Sequence, residues 1–372
     1  MKTIRGTVRV GIIGLGAAGH RYADIIEQEK VGRAQLTAVC NRSDSKLAPY
    51  RHLKTYTASS QLIRSGDVDA VIVTTPHYAH LPVARDALQQ GLHVLVDKPL
   101  CAHKADAMEL LAAHTNSDQV FGIMFNQRTS RTYQRVRDLV QSGILGEIIR
   151  ITWIVTDWFR TDVYYKSSWR GTWAGEGGGV LLNQAPHQLD LMQWIRGMPT
   201  RVYGICRLGK HNPIEVEDDV TALLEYPNGG TGVFITCTGE SPGTNRLEIS
   251  GNKGKITVEP NGICQWEENE VPASIYRKTA TDGFAKPPTK IHPLPGPESC
   301  DQKEIMIRNF TEAILDGVPL IAPAEEGLRS LELANAILYS SLTDQPVDLP
   351  LSADIYASRL QALRDDSSSM PR

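Results

Sequence analysis

The sequence predicts an α/β fold, with a doubly wound parallel sheet first and an α+β unit with a large, mostly antiparallel open sheet after it. Three observations carry that prediction. Short apolar runs alternate with helical patterns up to about residue 125, a glycine-rich turn joins the first run to the first helix, and strand patterns then follow one another directly. The 372 residues suffice for at least two cores, and 41% apolar with 22% charged content is ordinary globular composition. A net charge of −3 gives no general attraction to nucleic acid or to an anionic membrane surface. Cys40, Cys101, Cys206, Cys237, Cys264 and Cys300 lie far apart with no CxxC pair, which argues against a zinc ribbon or a disulfide framework, and no metal site is expected. The basic N-terminus before VGIIGLGAAG superficially resembles a signal peptide, but its glycines fit a strand and turn better. A cytoplasmic protein without a membrane span is expected.

The apolar runs of the first part are TVRVGII, QLTAVC, AVIVTT, HVLVD and VFGIM. Helical segments lie between them, such as AGHRYADIIEQE and AHLPVARDALQQG, the latter stopped by Gly91. GLGAAG, Gly14 to Gly19, follows the first run and opens the first helix. In that setting GxGxxG reads as the dinucleotide fingerprint of a Rossmann fold. Gly14 permits a tight turn, Gly16 lets the backbone approach a pyrophosphate, and Gly19 allows close helix–strand packing. The backbone of Ala17 and Ala18 presents the helix N-terminus to the phosphates. At the end of the second run stands Asn41 where an acidic residue normally holds the ribose, followed by Arg42. That pair leans toward NADP, while Asp44 keeps NAD open.

Three further strand ends carry polar groups: Thr74-Thr75-Pro76-His77 with His80, Asp97-Lys98-Pro99, and Asn126 with Arg128 in MFNQR. Ligands bind such folds at the C-terminal edge of the sheet, so a lysine there faces the crevice. Beyond Asn126, EIIRITWIVTDW, RVYGICRL, DVTALLEY, TGVFITCT, RLEIS and KITVE read as successive strands. The expected division is a dinucleotide-binding domain over 1–125 and a substrate-binding and oligomerisation domain over 126–372. AKPPTKIHPLPGPES is expected to be a surface loop, and the SSSMPR end to be frayed.

GLGAAG, DKPL and EGGGVLLNQAPHQLD together resemble the Gfo/Idh/MocA oxidoreductases, a family that includes glucose–fructose oxidoreductase and inositol dehydrogenases. SGILGEI, LEISGNKGKITVE and EEGLRSLELANAILYSS extend the resemblance over nearly the whole chain. It implies that the spare face of the second sheet makes a homodimer or homotetramer, and that TTPHYAH contacts the nicotinamide. One departure stands out: the family's aspartate in the GGG helix is Asn183 here, and an amide cannot act as a base.

Asn183 and His187 are four residues apart and share a helix face, and Asp190 could hold the imidazole or cap or pair elsewhere. The resemblance then implies that Lys98, His187 and Asn183 are catalytic. Gly14, Gly16, Ala17, Ala18, Gly19, Asn41, Arg42, Thr74, Thr75, Pro76, His77, His80, Asp97, Lys98 and Asn126 would line the cofactor. Trp158, Tyr164, Tyr165, Trp169, Arg170 and Trp173 mix aromatic faces with polar groups (Arg160, Lys166, Ser168), as a sugar site requires. They are expected to form the substrate wall, with Arg128, Asn183 and His187. The implied reaction is NAD(P)-dependent oxidation or reduction at a ring carbon of a sugar, glycoside or inositol. Two alternatives remain open: glycoside cleavage through transient oxidation on a retained NAD, and a cofactor-binding regulator without chemistry.

Overall fold

The computed structural model describes residues 6–166, 169–296 and 300–369. Six strands form the first sheet: β1 (Val8–Ile13), β2 (Ala34–Cys40), β3 (Lys54–Tyr56), β4 (Ala70–Val73), β5 (His93–Val96) and β6 (Phe121–Ile123). Their order is β3-β2-β1-β4-β5-β6 and every pairing is parallel. β4, β5 and β6 are buried throughout because helices cover both faces, which is why they read as unbroken apolar runs. The strand order reverses between β1 and β4, and that switch point fixes where a ligand crevice opens. β3 escaped the sequence reading because KTY is a three-residue edge strand without an apolar pattern.

The second sheet holds β7 (Ile148–Val155), β8 (Arg201–Leu208), β9 (Glu217–Glu225), β10 (Thr231–Cys237), β11 (Asn245–Gly251), β12 (Gly254–Val258), β13 (Cys264–Asn269), β14 (Thr289–Pro293) and β15 (Val347–Asp348). Its order is β14-β13-β12-β11-β7-β10-β9-β8-β15, antiparallel at every pairing except β7 with β10. Here the proline-rich expectation is corrected. Thr289–Pro293 pairs with β13 at the sheet's outer edge, where a proline leaves no inner ladder bond unmade.

The helix expected across the GGG segment is also corrected. It is two pieces, Val180–Asn183 and Pro186–Arg196, with a turn at Gln184 and Ala185. Pro186 has no N–H to donate back into the first piece, yet it suits the first position of a new helix. The two halves of the chain are tied by the helix Ala324–Thr343, which packs against β6, β8 and the helix Lys104–Ala112. Buried Lys104 donates to Glu332 at 2.6 Å and to the Leu351 carbonyl at 2.6 Å. Among the described residues no helix is long and apolar enough to cross a membrane. Ser168 and the final Met370–Arg372 lie outside the described residues.

Candidate active site

The glycine turn is shaped by what it excludes. Gly14 has φ +104°, and a Cβ there would meet the Thr74 backbone at 2.7 Å. A Cβ on Gly19 would stand 2.0 Å from the Gly14 carbonyl, so helix and strand approach as closely as the fingerprint requires. Nothing lies within 4 Å of a Cβ built on Gly16. The open side of the turn is therefore over Gly16, at the start of the helix Ala17–Glu27, whose first N–H groups have no side-chain cap. These features fit a dinucleotide pyrophosphate, with the backbone of residues 16 to 18 as its donors. Thr74 braces the turn by donating its hydroxyl to the Gly14 carbonyl.

At the end of β2, Asn41 is partly spent on structure: its Oδ1 accepts the Leu15 N–H at 3.1 Å. Asp44 is paired with Arg51 at 2.6 Å, whereas Arg42 is exposed. At the end of β4, the His80 ring nitrogens lie 2.8 Å from the Pro99 carbonyl oxygen and 2.7 Å from that of Thr75. His80 thus clamps two loops together. His77 is buried, with Nδ1 2.9 Å from the Glu176 carbonyl oxygen. The Thr75 hydroxyl is buried with no partner. Asp97 accepts from the Tyr22 hydroxyl at 3.1 Å and from the Lys98 N–H at 2.9 Å, so it shapes the strand end. Asn126 donates to Gln302 at 2.8 Å.

Lys98 reaches from β5 to the GGG segment, where Nζ donates to the Asn183 backbone carbonyl. Burial lowers its pKa, with Asp97 and Glu176 opposing that shift and Arg170 and Lys303 adding to it. His187 sits edge-on to Phe125 at 6.2 Å between centroids, and its Nδ1 is buried with no partner. Burial first, then the charges of Lys98 and Lys303, push its pKa down to about 3, so the ring is neutral at physiological pH. Asp190 does not hold this imidazole. It takes Arg128 bidentately at 2.7 and 2.6 Å, and Arg128 also pairs with Glu326. The short helix that ends at Asn183 is seated by Glu217, which accepts from the Gly179 and Leu181 N–H groups at 2.8 and 3.1 Å.

Residues 8–125 match the oxidoreductase family with an NAD-binding Rossmann fold, and residues 133–257 match the GFO/IDH/MocA C-terminal domain. The chain belongs to the GFO/IDH/MocA family. It is 28% identical over 222 residues to the oxidoreductase YdgJ of Escherichia coli, a match spanning 59% of this chain and 62% of YdgJ. To the levoglucosan dehydrogenase of Pseudarthrobacter phenanthrenivorans it is 23% identical, over 78% of this chain and 82% of that one. The WlbA dehydrogenase of Bordetella pertussis, solved with NADH and UDP-GlcNAcA, has the same fold. Its TM-score is 0.77 at 24% identity, covering 93% of this chain and all of WlbA. As in its GFO/IDH/MocA relatives, the N-terminal domain is NAD-binding, and the protein is an oxidoreductase by family.

The aromatic segment divides. Trp169 stands edge-on to His77 at 5.5 Å, and Arg170 lies over Trp169 and Tyr164 at 4.7 and 4.1 Å. Tyr164 accepts from Arg170 and from Gln184, the latter at 3.2 Å, which links this group to the turn after Asn183. Tyr165 packs against Tyr164 at 5.0 Å and donates to Thr238 at 3.4 Å. Trp158 is half-buried with an unpartnered indole N–H. Trp173 leaves the wall: it is 5% exposed and packed in the core, with its backbone N–H donating to Glu215 at 3.0 Å. Arg128 leaves it too, being 1% exposed inside its ion pairs.

Two groups entered the site without being singled out in the sequence. Glu176 was only the first letter of the glycine stretch, and Lys303 sits in the unremarkable DQKEIM. Asp301 caps that helix by accepting from the Lys303 and Glu304 N–H groups at 3.1 and 3.4 Å, so the D-x-x-E pattern marked a helix start but not a site. Away from this pocket, His211, Asp219 and Cys237 bring ligand-type atoms within 4.8 Å of one another, but the Lys210 ammonium already occupies Asp219.

Proposed function

We propose that this protein is an NAD(P)-dependent dehydrogenase or reductase acting on a ring secondary alcohol or ketone of a sugar, glycoside or inositol. The observation that carries the reading is the unpartnered, buried Nδ1 of His187, a ring whose pKa the nearby Lys98 charge helps to lower. A neutral imidazole can take a proton on the ring nitrogen that carries none, and His187 has no protein partner at Nδ1 to fix its tautomer. In the direction of oxidation His187 takes the hydroxyl proton. Lys98 donates to the same oxygen and stabilises its developing negative charge. Asn183 positions the hydroxyl, and a nicotinamide held by the glycine turn would supply the hydride acceptor. Trp169, Tyr164, Tyr165 and Arg170 offer aromatic faces and donors to a ring bearing hydroxyls. The names of levoglucosan dehydrogenase and of the WlbA complex with a nucleotide sugar support this substrate class. Arg42, exposed and with Asp44 already engaged by Arg51, supports a preference for NADP.

The outer face of the second sheet supports a homodimer or homotetramer. Tyr203, Leu223 and Val233 lie side by side in register across β8, β9 and β10, and so do Ile205, Thr221 and Ile235. Leu223 is 52% exposed, which leaves apolar surface for a second copy.

A spectrophotometric panel of sugars, inositols and glycosides, each with NAD and with NADP, tests the reading. Cofactor reduction is expected with at least one ring alcohol, more efficiently with NADP. Release of an aglycone without net cofactor change, or no turnover in either direction, would overturn it.

A further inference from the structure

Close enough to Lys98 for its charge to act on it stands a buried carboxylate to which the reaction above gives no part. Glu176 is 1% exposed. One oxygen accepts the Gly171 N–H at 2.7 Å, and the other accepts from the side-chain amide of Asn183, seven residues along the chain. Its backbone carbonyl takes the His77 ring nitrogen. Asn183 in turn gives its own backbone carbonyl to Lys98. A single short stretch thus links a carboxylate, an amide and an ammonium.

The amide can face a carboxylate in one sense only. Ionised Glu176 accepts and does not donate, so Asn183 must turn Nδ2 toward it and keep Oδ1 for another donor. Among the described residues no protein donor reaches that Oδ1. The charges are arranged to match. Two cations, Lys98 and Arg170, are largely withdrawn from water here, and a buried cation without a nearby anion tends to lose its proton. The groups that bear on Lys98 are Asp97 and Glu176 on the acidic side and Arg170 and Lys303 on the basic side, with the neutral rings of His77 and His187 beside it. Asp97 is turned to the Tyr22 hydroxyl and to the Lys98 N–H. Glu176 is the acid that stands on the substrate-facing GGG side.

We propose that Glu176 is the positioning residue that lets an asparagine stand at 183. It adds from seven residues upstream a negative charge that, together with Asp97, holds Lys98 protonated, and it fixes the Asn183 amide with Oδ1 free for the substrate hydroxyl. This rests on the reading of Lys98 as the donor to the reacting oxygen. Burial raises the pKa of Glu176, while the hydrogen bonds from Gly171 and Asn183 and the charges of Arg170 and Lys98 pull the other way. Its ionisation therefore depends on the two cations, and that of Lys98 depends on it in turn.

The test uses NAD-loaded full-length protein labelled with lysine ¹⁵Nζ, and the signal lost in Lys98→Met identifies Lys98. Its titration needs no turnover, so it remains informative even if no substrate is found. Glu176→Gln keeps the size and removes the charge, and Lys98 is expected to lose its proton at lower pH than in wild type. The double variant Glu176→Gln/Asn183→Asp returns a carboxylate to the neighbouring position, and the titration is expected to move back. If Glu176→Gln does not fold, Asn183→Asp alone must move the Lys98 titration to higher pH, because it adds an anion to those of Asp97 and Glu176. With an active substrate, kcat/KM of Glu176→Gln should be roughly tenfold lower on the alkaline side of its profile, as for loss of one close opposite charge. That loss should be restored in the double variant. An unchanged Lys98 titration in Glu176→Gln, or no return in the double variant, would show that Glu176 only braces the loop.

Discussion

Two buried charge clusters lie within one stretch of chain and differ in a single respect. Around Asp190, every carboxylate oxygen is used: Arg128 grips both, and Gln193 adds a bond at 2.9 Å. Around His187, groups are left wanting: its Nδ1 and the Thr75 hydroxyl have no partner, and Lys98 spends its ammonium on one backbone carbonyl. A saturated buried network specifies the fold, because each member would be costly if its partner were lost. An unsaturated one is costly to maintain and is retained where a ligand completes it. Asp190 and His187 are three residues apart, so it is the bonding of each group, not its neighbourhood, that separates these two; an unmade bond alone does not mark chemistry, since Oε1 of Gln193 beside Asp190 is also buried without a partner.

The comparison is broken most forcefully from the saturated side. Arg128→Ala leaves Asp190 buried and unpaired, and a loss of about 3–5 kcal/mol in stability is expected by denaturant unfolding. A change below 1 kcal/mol would mean that the cluster is not a structural unit. Trp173→Ala should cost about 3–5 kcal/mol as a core cavity. Trp169→Ala, beside His77 at the pocket wall, should leave the melting temperature nearly unchanged and raise KM for the best substrate. Equal effects of the two variants on KM would return Trp173 to the substrate wall.

Glu217 sharpens the comparison at smaller amplitude. One oxygen holds the turn before the short helix, and the other has no partner. Burial raises its pKa from 4.5 to about 7, against the N–H groups that lower it. The folded state therefore keeps a proton that the unfolded chain releases, so stability falls as pH rises from about 4.5 through about 7, by an amount on the order of 3 kcal/mol. Glu217→Gln should remove that component of the pH dependence of the melting temperature between pH 5 and 8. The same slope in wild type and variant would contradict it.

The legibility of the sequence follows the same division. The glycine turn and the parallel strands were readable because backbone constraints act locally: Gly14 and Gly19 leave no room for a Cβ, and β4 to β6 are buried on both faces. DKP and the GGG stretch were readable as motifs. What escaped depends on partners distant in sequence. Nothing near Arg128 in the chain announces Asp190, 62 residues away, or Glu326, 198 away, so it passed for a substrate ligand. Trp173 and Trp169 differ by four positions in an aromatic-rich run, and only packing tells core from wall. Edge strands β3, β14 and β15 lack the alternation by which a half-buried strand is recognised.

The claim that unsatisfied groups perform the chemistry is tested most directly by kcat of His187→Ala at saturating substrate and cofactor. The account predicts a fall of about 10²-fold or more, as for loss of a general base, with cofactor affinity intact and no loss of stability like that in Arg128→Ala. Near-normal turnover would contradict it and leave Lys98 as the group that takes the proton.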